Sequence, residues 1–312
     1  MKATTLTIIV FGVVACAVAQ QTPTEITARH VIGLENIKRN STGKLTVQNG
    51  VMQFRTGAAV TKIPTLAIED LAIGSETTQA GGKIGTVAKT AAIAAPYDSG
   101  AALSLFLRTK VDVLTVSYRD SCGGLHAAIL ALPKGQAGPL RDQLIAAGAR
   151  TRSPGERTLK EKKPEAVTTS QGDNEKLSAS AIIIEPVETG DVPIPAEFRS
   201  AIYEFLVQRV REAGTFQKVF RSGDQAVEGI PDVVTLRTTV IRYKEGSQME
   251  REITTVFGTT NVDVSAWVTA KGGRTLLETR VRGKVRFFGE NLGVTNDLAK
   301  RISKRLRNAF GS

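Results

Sequence analysis

Residues 261–288, NVDVSAWVTAKGGRTLLETRVRGKVRFF, decide how the second half of this chain folds. Two β-rich runs flank the Lys-Gly-Gly-Arg turn at 271–274, and glycine tolerates the positive φ angles that a tight hairpin turn requires. If the two glycines form the loop, Asp263 faces Arg282, and side chains alternate between two faces. This register predicts an antiparallel sheet with one wet face. Its opposite, apolar face holds Val262, Val264, Ala266, Val268, Val281 and Val285.

The surrounding residues predict a small α+β domain at 178–312 with a largely antiparallel sheet, in which a β-α-β unit is followed by three strands and a final α-helix. Ala181 to Ile184 is a short apolar run, which is typical of a buried strand. Pro195 precedes apolar residues at helical spacing, and Gly214 ends that pattern. Further strands are predicted at 216–220, 233–243, 261–270 and 275–288, and a last helix at 295–309.

The first half, residues 24–150, predicts a mostly antiparallel β split barrel with a C-terminal capping helix, so the fold class of the chain is α+β. Asn49-Gly50 lies between two β-rich runs, and this dipeptide favours a two-residue hairpin turn. Gly148 follows a stretch with leucines at helical spacing and is placed to end a helix. The predicted elements are strands at 43–47, 51–55, 111–118 and 125–132 and a helix at 137–147.

A chain of 312 residues exceeds the usual size of one domain, so two domains are expected. Residues 151–177 contain charges of both signs and two prolines with few large apolar side chains, which predicts a flexible charged linker. The formal net charge of +11 favours an anionic partner.

Residues 1–19 have the pattern of a secretory signal peptide: Lys2, an apolar run from Leu6 to Ala15, then small residues. Cleavage before Gln20 is the simplest interpretation. The alternative is that Val-Val-Ala-Cys at 13–16 is a bacterial lipobox, in which case Cys16 is acylated. Either way we expect an exported protein, located in the periplasm or cell envelope, with a lipid anchor only in the second case.

The order of elements in the first half resembles the pleckstrin-homology-like superfold. The residues that carry this resemblance are KLTVQNGVMQF (44–54), KIPTLAIEDLAIG (62–74) and VDVLTVSYRDSCGGLHAAILALPKG (111–135). The resemblance implies a fold but no ligand, because such folds bind many unrelated molecules. Phosphoinositide binding is not implied, since only Lys44 and Arg55 are candidates between the first strands.

The second half resembles a family of exported bacterial proteins known only as a domain of unknown function. This resemblance lies in IRYKEGSQMEREITTVFGTTNVDVSAWVTAKGGRTLLETRVRG (241–283) and in the order of elements. Small α+β domains of envelope assembly lipoproteins are broadly similar. The resemblance implies an envelope role and brings no catalytic residues.

Two basic surfaces are candidate binding sites. The first is a possible anionic-ligand face on the sheet, where guanidinium groups would bind an anion and an indole would stack on it. The alternative is a solvated sheet face whose charges prevent edge aggregation. Its candidate residues are Arg242, Trp267, Arg280, Arg282, Lys284 and Arg286.

The second basic surface is the last predicted helix, which could lie on an anionic membrane. Its apolar positions favour instead docking on the sheet of the same domain, with the cations opposing the helix dipole. The basic residues are Lys300, Arg301, Lys304, Arg305 and Arg307.

No constellation of residues predicts catalysis, a cofactor or a metal site. His30 and His126 are too far apart in sequence for a metal motif, and Cys122 has no base at an informative spacing. We therefore predict a non-enzymatic envelope protein that binds or scaffolds an anionic partner or envelope complex, meaning a lipid or polymer surface rather than nucleic acid. The alternatives are a peripheral membrane protein, held by Cys16 acylation or the last helix, and an envelope-polymer enzyme without a readable motif.

Overall fold

The computed structural model describes residues 25–79, 108–151, 177–246, 260–285 and 292–311. The predicted signal peptide with Cys16, the small-residue segment at 80–102, most of the predicted linker and Arg286 lie outside these ranges. Within them the chain has two sheets and three α-helices, so the α+β class is confirmed.

The first sheet has seven antiparallel strands in the order β4-β3-β2-β1-β7-β6-β5. It is open, because β4 and β5 are edge strands that do not pair with each other. A short 3₁₀ helix, Thr65–Ala67, connects these two edges. The strands are β1 Ile26–Ile32, β2 Ser41–Gln48, β3 Val51–Thr56, β4 Ala59–Pro64, β5 Ile68–Gln79, β6 Arg108–Arg119 and β7 Leu125–Pro133.

The predicted Asn49-Gly50 hairpin is confirmed. Gln48 pairs with Val51 across the turn, and both turn residues have positive φ, 51° for Asn49 and 70° for Gly50. Two such residues match the right-handed twist of the flanking strands, which explains why this dipeptide fixes the register.

Helix α1, Ala137–Ala146, covers one face of the first sheet. Its Leu140 and Leu144 are buried in a hydrophobic core with Leu45, Phe54 and Leu130 of the strands. Gly148, with φ of 102°, follows the helix at the predicted position. The capping helix expected at the end of the first half is therefore present.

The second sheet is mixed and has five strands in the order β12-β11-β10-β8-β9. Strand β8 pairs in parallel with both β10 and β9, and the three long strands β10 to β12 pair antiparallel. The strands are β8 Ala181–Ile184, β9 Lys218–Arg221, β10 Val233–Lys244, β11 Thr260–Ala270 and β12 Thr275–Val285.

The predicted register between β11 and β12 is confirmed along most of the hairpin, including Asp263 opposite Arg282. The predicted two-residue loop is wrong. The register shifts by one residue after Val268, so that Thr269 pairs with Thr275, and Gly273 has φ of 82°. This bulge with a left-handed glycine makes a three-residue loop without changing which side chains share a face.

Helix α2, Ala196–Ala213, lies between the two sheets. Tyr203 and Val207 belong to the same hydrophobic core as Ala127 and Ile129 of β7 and Leu236 of β10. Because this core contains side chains from both sheets, the two halves of the chain share buried apolar surface. The domain boundaries at 24–150 and 178–312 stay a prediction.

Helix α3, Gly293–Phe310, packs against β12 and against α2. Gly283 of β12 allows this contact, because a Cβ atom there would lie 2.8 Å from the backbone oxygen of Val294. In the described part of the chain, no helix combines the length and the apolar character needed to cross a membrane.

Candidate functional site

The first candidate site is the exposed face of strands β10 to β12, which we call the basic sheet face. Neighbouring strands bring Arg242, Asp263 and Arg282 into one row, and Arg237, Trp267 and Glu278 into another. Its cations come from β10 and β12, whereas the central strand β11 contributes Trp267 and the acid Asp263, and β12 adds the acid Glu278. The six cations are Arg237, Arg242, Lys244, Arg280, Arg282 and Lys284.

One of these cations is neutralised within the face. Arg282 donates two hydrogen bonds to Asp263, Nε to Oδ1 at 2.6 Å and Nη2 to Oδ2 at 2.7 Å, and these bonds raise the arginine pKa. Among the described residues, Arg242, Arg280 and Lys284 form no ion pair. The face therefore keeps cations that are available to an external anion.

The structure places five of the six predicted face residues on this surface, and the sixth, Arg286, lies outside the described residues. Trp267 is partly exposed, with Glu278 on one side and Arg237 on the other. Strand parity accounts for the four residues on β11 and β12, whereas Arg242 reaches the same face because the register of β10 shifts between Val240 and Arg242. Sequence reasoning omitted Arg237 and Lys244, which the pairing of β10 with β11 brings to the same face.

The basic residues of α3 are all exposed, and only one of them forms an ion pair in the described part of the chain: Arg301 Nε lies 2.8 Å from Asp297 Oδ2. The apolar side of the helix, including Leu298, Ile302 and Leu306, is buried. These residues thus dock on the sheet and α2, as the amphipathic pattern favoured, and the cations that remain exposed are Lys300, Arg301, Lys304, Arg305 and Arg307.

A second candidate site is a polar cleft of about 1150 Å³ between the two halves. The β1–β2 loop, the β6–β7 turn, α2 and β9 all contribute to its walls. Charged side chains of both signs line it, so the cleft is suited to polar rather than apolar ligands. Its charged and titratable residues include His30, Glu35, Asp120, His126, Arg211 and Glu212.

Three of these residues meet in one corner of the cleft, which we call the cleft cluster: Glu35, Asp120 and His126. His126 Nε2 lies 3.0 Å from Asp120 Oδ2 and 3.3 Å from Glu35 Oε1. The His126 ring is 3% exposed and stacks on Tyr118, with ring centroids 4.9 Å apart. The ring nitrogen is therefore held between two carboxylates at the edge of a solvent-filled cleft.

Asp120 is oriented by the turn that it begins. Its Oδ1 accepts hydrogen bonds from the backbone N–H groups of Cys122 at 2.8 Å and Gly124 at 2.9 Å, which leaves Oδ2 for His126. Burial alone would raise the pKa of Asp120, but the hydrogen bonds from His126, Gly124 and Cys122 outweigh it, so the pKa lies below 3.8. Asp120 is thus a fixed carboxylate at neutral pH.

His30 holds the loop that carries Glu35. Its Nε2 accepts the backbone N–H of Leu34 at 3.0 Å, and its Nδ1 lies 3.2 Å from the Lys38 oxygen. Because one nitrogen accepts and the other faces a carbonyl, the ring is neutral with its proton on Nδ1. Burial lowers the pKa of His30 below 6.5.

We expect this histidine to make the protein less stable in mild acid. Since its folded-state pKa is lowered, the unfolded chain binds more protons below pH 6.5, and the His30 contribution to the free energy of unfolding is lost as pH falls. The loss is up to about 1.4 kcal/mol at pH 5.5. Urea unfolding at pH 7.5 and 5.5 should show a smaller pH effect in His30→Gln than in the unsubstituted protein. Equal pH effects in the two proteins would contradict this expectation.

A buried ion pair within the second half lies in the wall of the cleft and hydrogen-bonds to the first half. Arg221 of β9 donates from Nη1 and Nη2 to the two carboxylate oxygens of Glu204 on α2, both at 2.8 Å. Glu204 also accepts the backbone N–H of Ala127 at 2.8 Å, and Arg221 donates to the Leu125 oxygen at 3.0 Å. Burial would lower the pKa of Arg221, but the charge and hydrogen bonds of Glu204 raise it. One pair thus connects β7, α2 and β9.

Backbone hydrogen bonds next to this pair also cross between the halves. Leu125 N–H donates to the Ser222 oxygen at 3.0 Å, and Gln225 N–H donates to the Cys122 oxygen at 2.9 Å. The Cys122 side chain in this turn is exposed. The β6–β7 turn therefore contacts the second half directly.

Comparison with known proteins yields only partial structural likenesses. The chain matches no protein-family model and no curated protein. The PelC dodecamer from Paraburkholderia phytofirmans is 9% identical with a TM-score of 0.32, over 42% of this chain and 91% of that one. The hypothetical protein CT253 from Chlamydia trachomatis is 9% identical with a TM-score of 0.31, over 43% and 99%. Protein XCC0632 from Xanthomonas campestris, of family DUF330, is 8% identical with a TM-score of 0.27, over 42% and 82%.

TM-scores this low assign neither a family nor a function. The likenesses also leave the pleckstrin-homology-like resemblance of the first half as a prediction.

Proposed function

We propose that this protein is exported, is not an enzyme, and binds an anionic lipid or polymer surface of the cell envelope through the basic sheet face. The observation that carries the proposal is the row structure of β10 to β12, which sets Arg242, Arg280 and Lys284, cations without an ion pair among the described residues, on one face with a partly exposed tryptophan. Strands are about 4.8 Å apart, so such a face presents regularly spaced charges to a repeating anion.

We expect the ligand to be held on this open face mainly by electrostatic attraction to its cations. Guanidinium groups bind phosphate or carboxylate in a planar, two-bonded geometry, and an indole supplies a flat apolar surface beside them. Arg242 lies opposite Asp263 and Arg280 opposite Ser265, on either side of β11. Both arginines are exposed, so an anion can approach them from solvent.

The test compares two double variants that remove the same charge from one hairpin. Arg280→Ala/Lys284→Ala removes two cations of the face that form no ion pair among the described residues, whereas Lys271→Ala/Arg274→Ala removes two from its exposed turn. A cation near an anionic surface contributes about 1 kcal/mol, so the face variant should bind anionic vesicles about thirtyfold more weakly at low salt. Vesicle sedimentation with anionic and neutral lipid measures this change.

The matched control decides how that result is interpreted. The turn variant should bind within a few-fold of the unsubstituted protein. Equal weakening of both variants would mean that only net charge matters, and an unaffected face variant would show that the face does not bind the vesicle. The same pair, assayed on an anionic polysaccharide, distinguishes a polymer partner from a lipid partner.

The exposed cations of α3 support a second candidate, peripheral attachment to a membrane. Because the apolar side of α3 is buried, this attachment would be electrostatic and strongly dependent on salt. Lys304→Ala/Arg305→Ala would then weaken vesicle binding more than the face variant does. A stronger effect of the face variant favours the sheet.

A further inference from the structure

We propose that Glu35, Asp120 and His126 form a binding site for a divalent transition-metal ion of the zinc type. The three residues come from the β1–β2 loop, the β6–β7 turn and the start of β7. This site shares no residue with the basic sheet face, so an experiment that contradicts one proposal leaves the other unaffected.

The distances fit a single coordination shell. Nitrogen and oxygen ligands of zinc lie about 2.0–2.2 Å from the ion, so two neighbouring ligand atoms of a tetrahedral site are about 3.3–3.6 Å apart. His126 Nε2 lies 3.0 Å from Asp120 Oδ2 and 3.3 Å from Glu35 Oε1, and all three ligand atoms lie within 4.8 Å of one another. Closing the shell takes a small widening of the Asp120–His126 distance and a movement of the half-exposed Glu35 toward Asp120.

The charge of the cluster also favours a cation. Two carboxylates approach one ring nitrogen, and a neutral ring has at most one N–H there to donate. Among the described residues, neither Glu35 nor Asp120 forms an ion pair with a lysine or arginine. A divalent ion would neutralise both carboxylates at once.

The His126 ring is buried, and only one of its two nitrogens has partners among the described residues. His126 is 3% exposed, yet its Nδ1 has no hydrogen-bond partner among the described residues. A buried polar ring is usually held by structural hydrogen bonds on both nitrogens. Here the remaining nitrogen, Nε2, points between the two carboxylates, which is the orientation of a ligand.

Two ligands are set in place before any ion binds. Asp120 is fixed by the N–H groups of Cys122 and Gly124, and His126 by stacking on Tyr118. All three ligands line the cleft, so solvent can reach the ion and complete its coordination. Three protein ligands with an open position distinguish such a site from a closed structural zinc site.

The donor set selects the kind of ion. One imidazole with two carboxylates suits zinc, manganese or iron better than calcium, which takes six to eight oxygens. For Nε2 to bind the ion, the ring proton must lie on Nδ1, which lacks an acceptor among the described residues. Loss of such an outer partner weakens metal binding by about 10- to 100-fold, so we expect moderate affinity.

The test is calorimetric titration of the tag-free chain without its predicted signal peptide, residues 20–312, with zinc chloride, together with metal analysis after dialysis. We expect one zinc per chain. Glu35→Gln and Asp120→Asn should each bind zinc at least tenfold more weakly. Asp120→Asn keeps an oxygen for the turn N–H groups, and unchanged thermal unfolding without metal would show that both variants fold.

Two control variants keep the outcome interpretable. Glu212→Gln removes a carboxylate that lines the same cleft outside the cluster, and Cys122→Ser removes the neighbouring thiol. Both should bind zinc as the unsubstituted protein does. The proposal is overturned if the unsubstituted protein binds no stoichiometric zinc, if Glu35→Gln retains full affinity, or if Cys122→Ser alone abolishes binding.

Discussion

Replacing Glu204 with alanine is expected to lower the free energy of unfolding by about 3–5 kcal/mol, which is typical for breaking a buried ion pair from one side. The substitution leaves Arg221 charged, 12% exposed in its side chain and without its carboxylate. It also leaves the N–H of Ala127 without its acceptor. Urea unfolding, monitored by circular dichroism, measures the change.

Two further variants distinguish the cost of leaving Arg221 without its carboxylate from the cost of losing the whole ion pair. Glu204→Met/Arg221→Met removes both charges and should be more stable than Glu204→Ala, since a buried pair can often be replaced by apolar side chains of similar volume. Glu212→Ala breaks the exposed pair with Arg209 and should cost less than about 1 kcal/mol. A Glu204→Ala variant as stable as Glu212→Ala would contradict a structural role for the buried pair.

Gly33→Ala is the second substitution with a large expected effect. Gly33 has φ of 100°, a backbone conformation that side chains rarely adopt, and a Cβ atom there would lie 2.7 Å from the Ala128 Cα. Strained backbone costs about 1–3 kcal/mol, and overpacking against a neighbouring strand costs about 1–3 kcal/mol more. We expect a loss of about 2–6 kcal/mol on thermal or urea unfolding.

Gly57→Ala is the matched control for this substitution. Gly57 also has positive φ, 54°, but a Cβ atom there would meet nothing within 4 Å. Its cost should be limited to the backbone term, about 1–2 kcal/mol. If both variants lose the same stability, close contact between Gly33 and β7 is not what requires glycine.

Much of the fold could be predicted because the deciding patterns are local. Alternation along residues 261–288 fixed which side chains share a face, and that grouping survived the wrong loop length, since a bulge absorbs the extra residue. The hairpin at Asn49-Gly50 and the ends of α2 at Pro195 and Gly214 also follow from single residues with special backbone geometry. Turn chemistry of this kind acts over only a few residues.

The cleft could not be predicted in the same way, because its contacts join distant residues. Glu204 meets Ala127 across 77 residues, and Arg221 meets Leu125 across 96. The contact between Asp120 and His126 is easier to predict, because these residues flank one hairpin turn and are six residues apart. Nothing local indicates that Glu35 joins them.

The sequence of α2 indicates that this helix is buried on more than one side, although its apolar spacing alone predicts only an amphipathic helix. Positions 200–207 are all buried, whereas an amphipathic helix on one sheet buries a single stripe. The sequence there, SAIYEFLV, carries apolar side chains on more than one side. Helices that are apolar nearly all round lie within a core, which is where α2 is found.

The position of α2 between the two sheets makes the folding of each half depend on the other. The apolar faces that the two sheets turn toward their shared core are not fully covered until this helix is in place, and the helix needs both sheets to bury its own apolar surface. The halves therefore resemble the subunits of an obligate heterodimer that happen to be synthesised as one polypeptide. For such a pair, the connecting segment sets the effective concentration of one half near the other, while the apolar surface buried between them holds the two halves together.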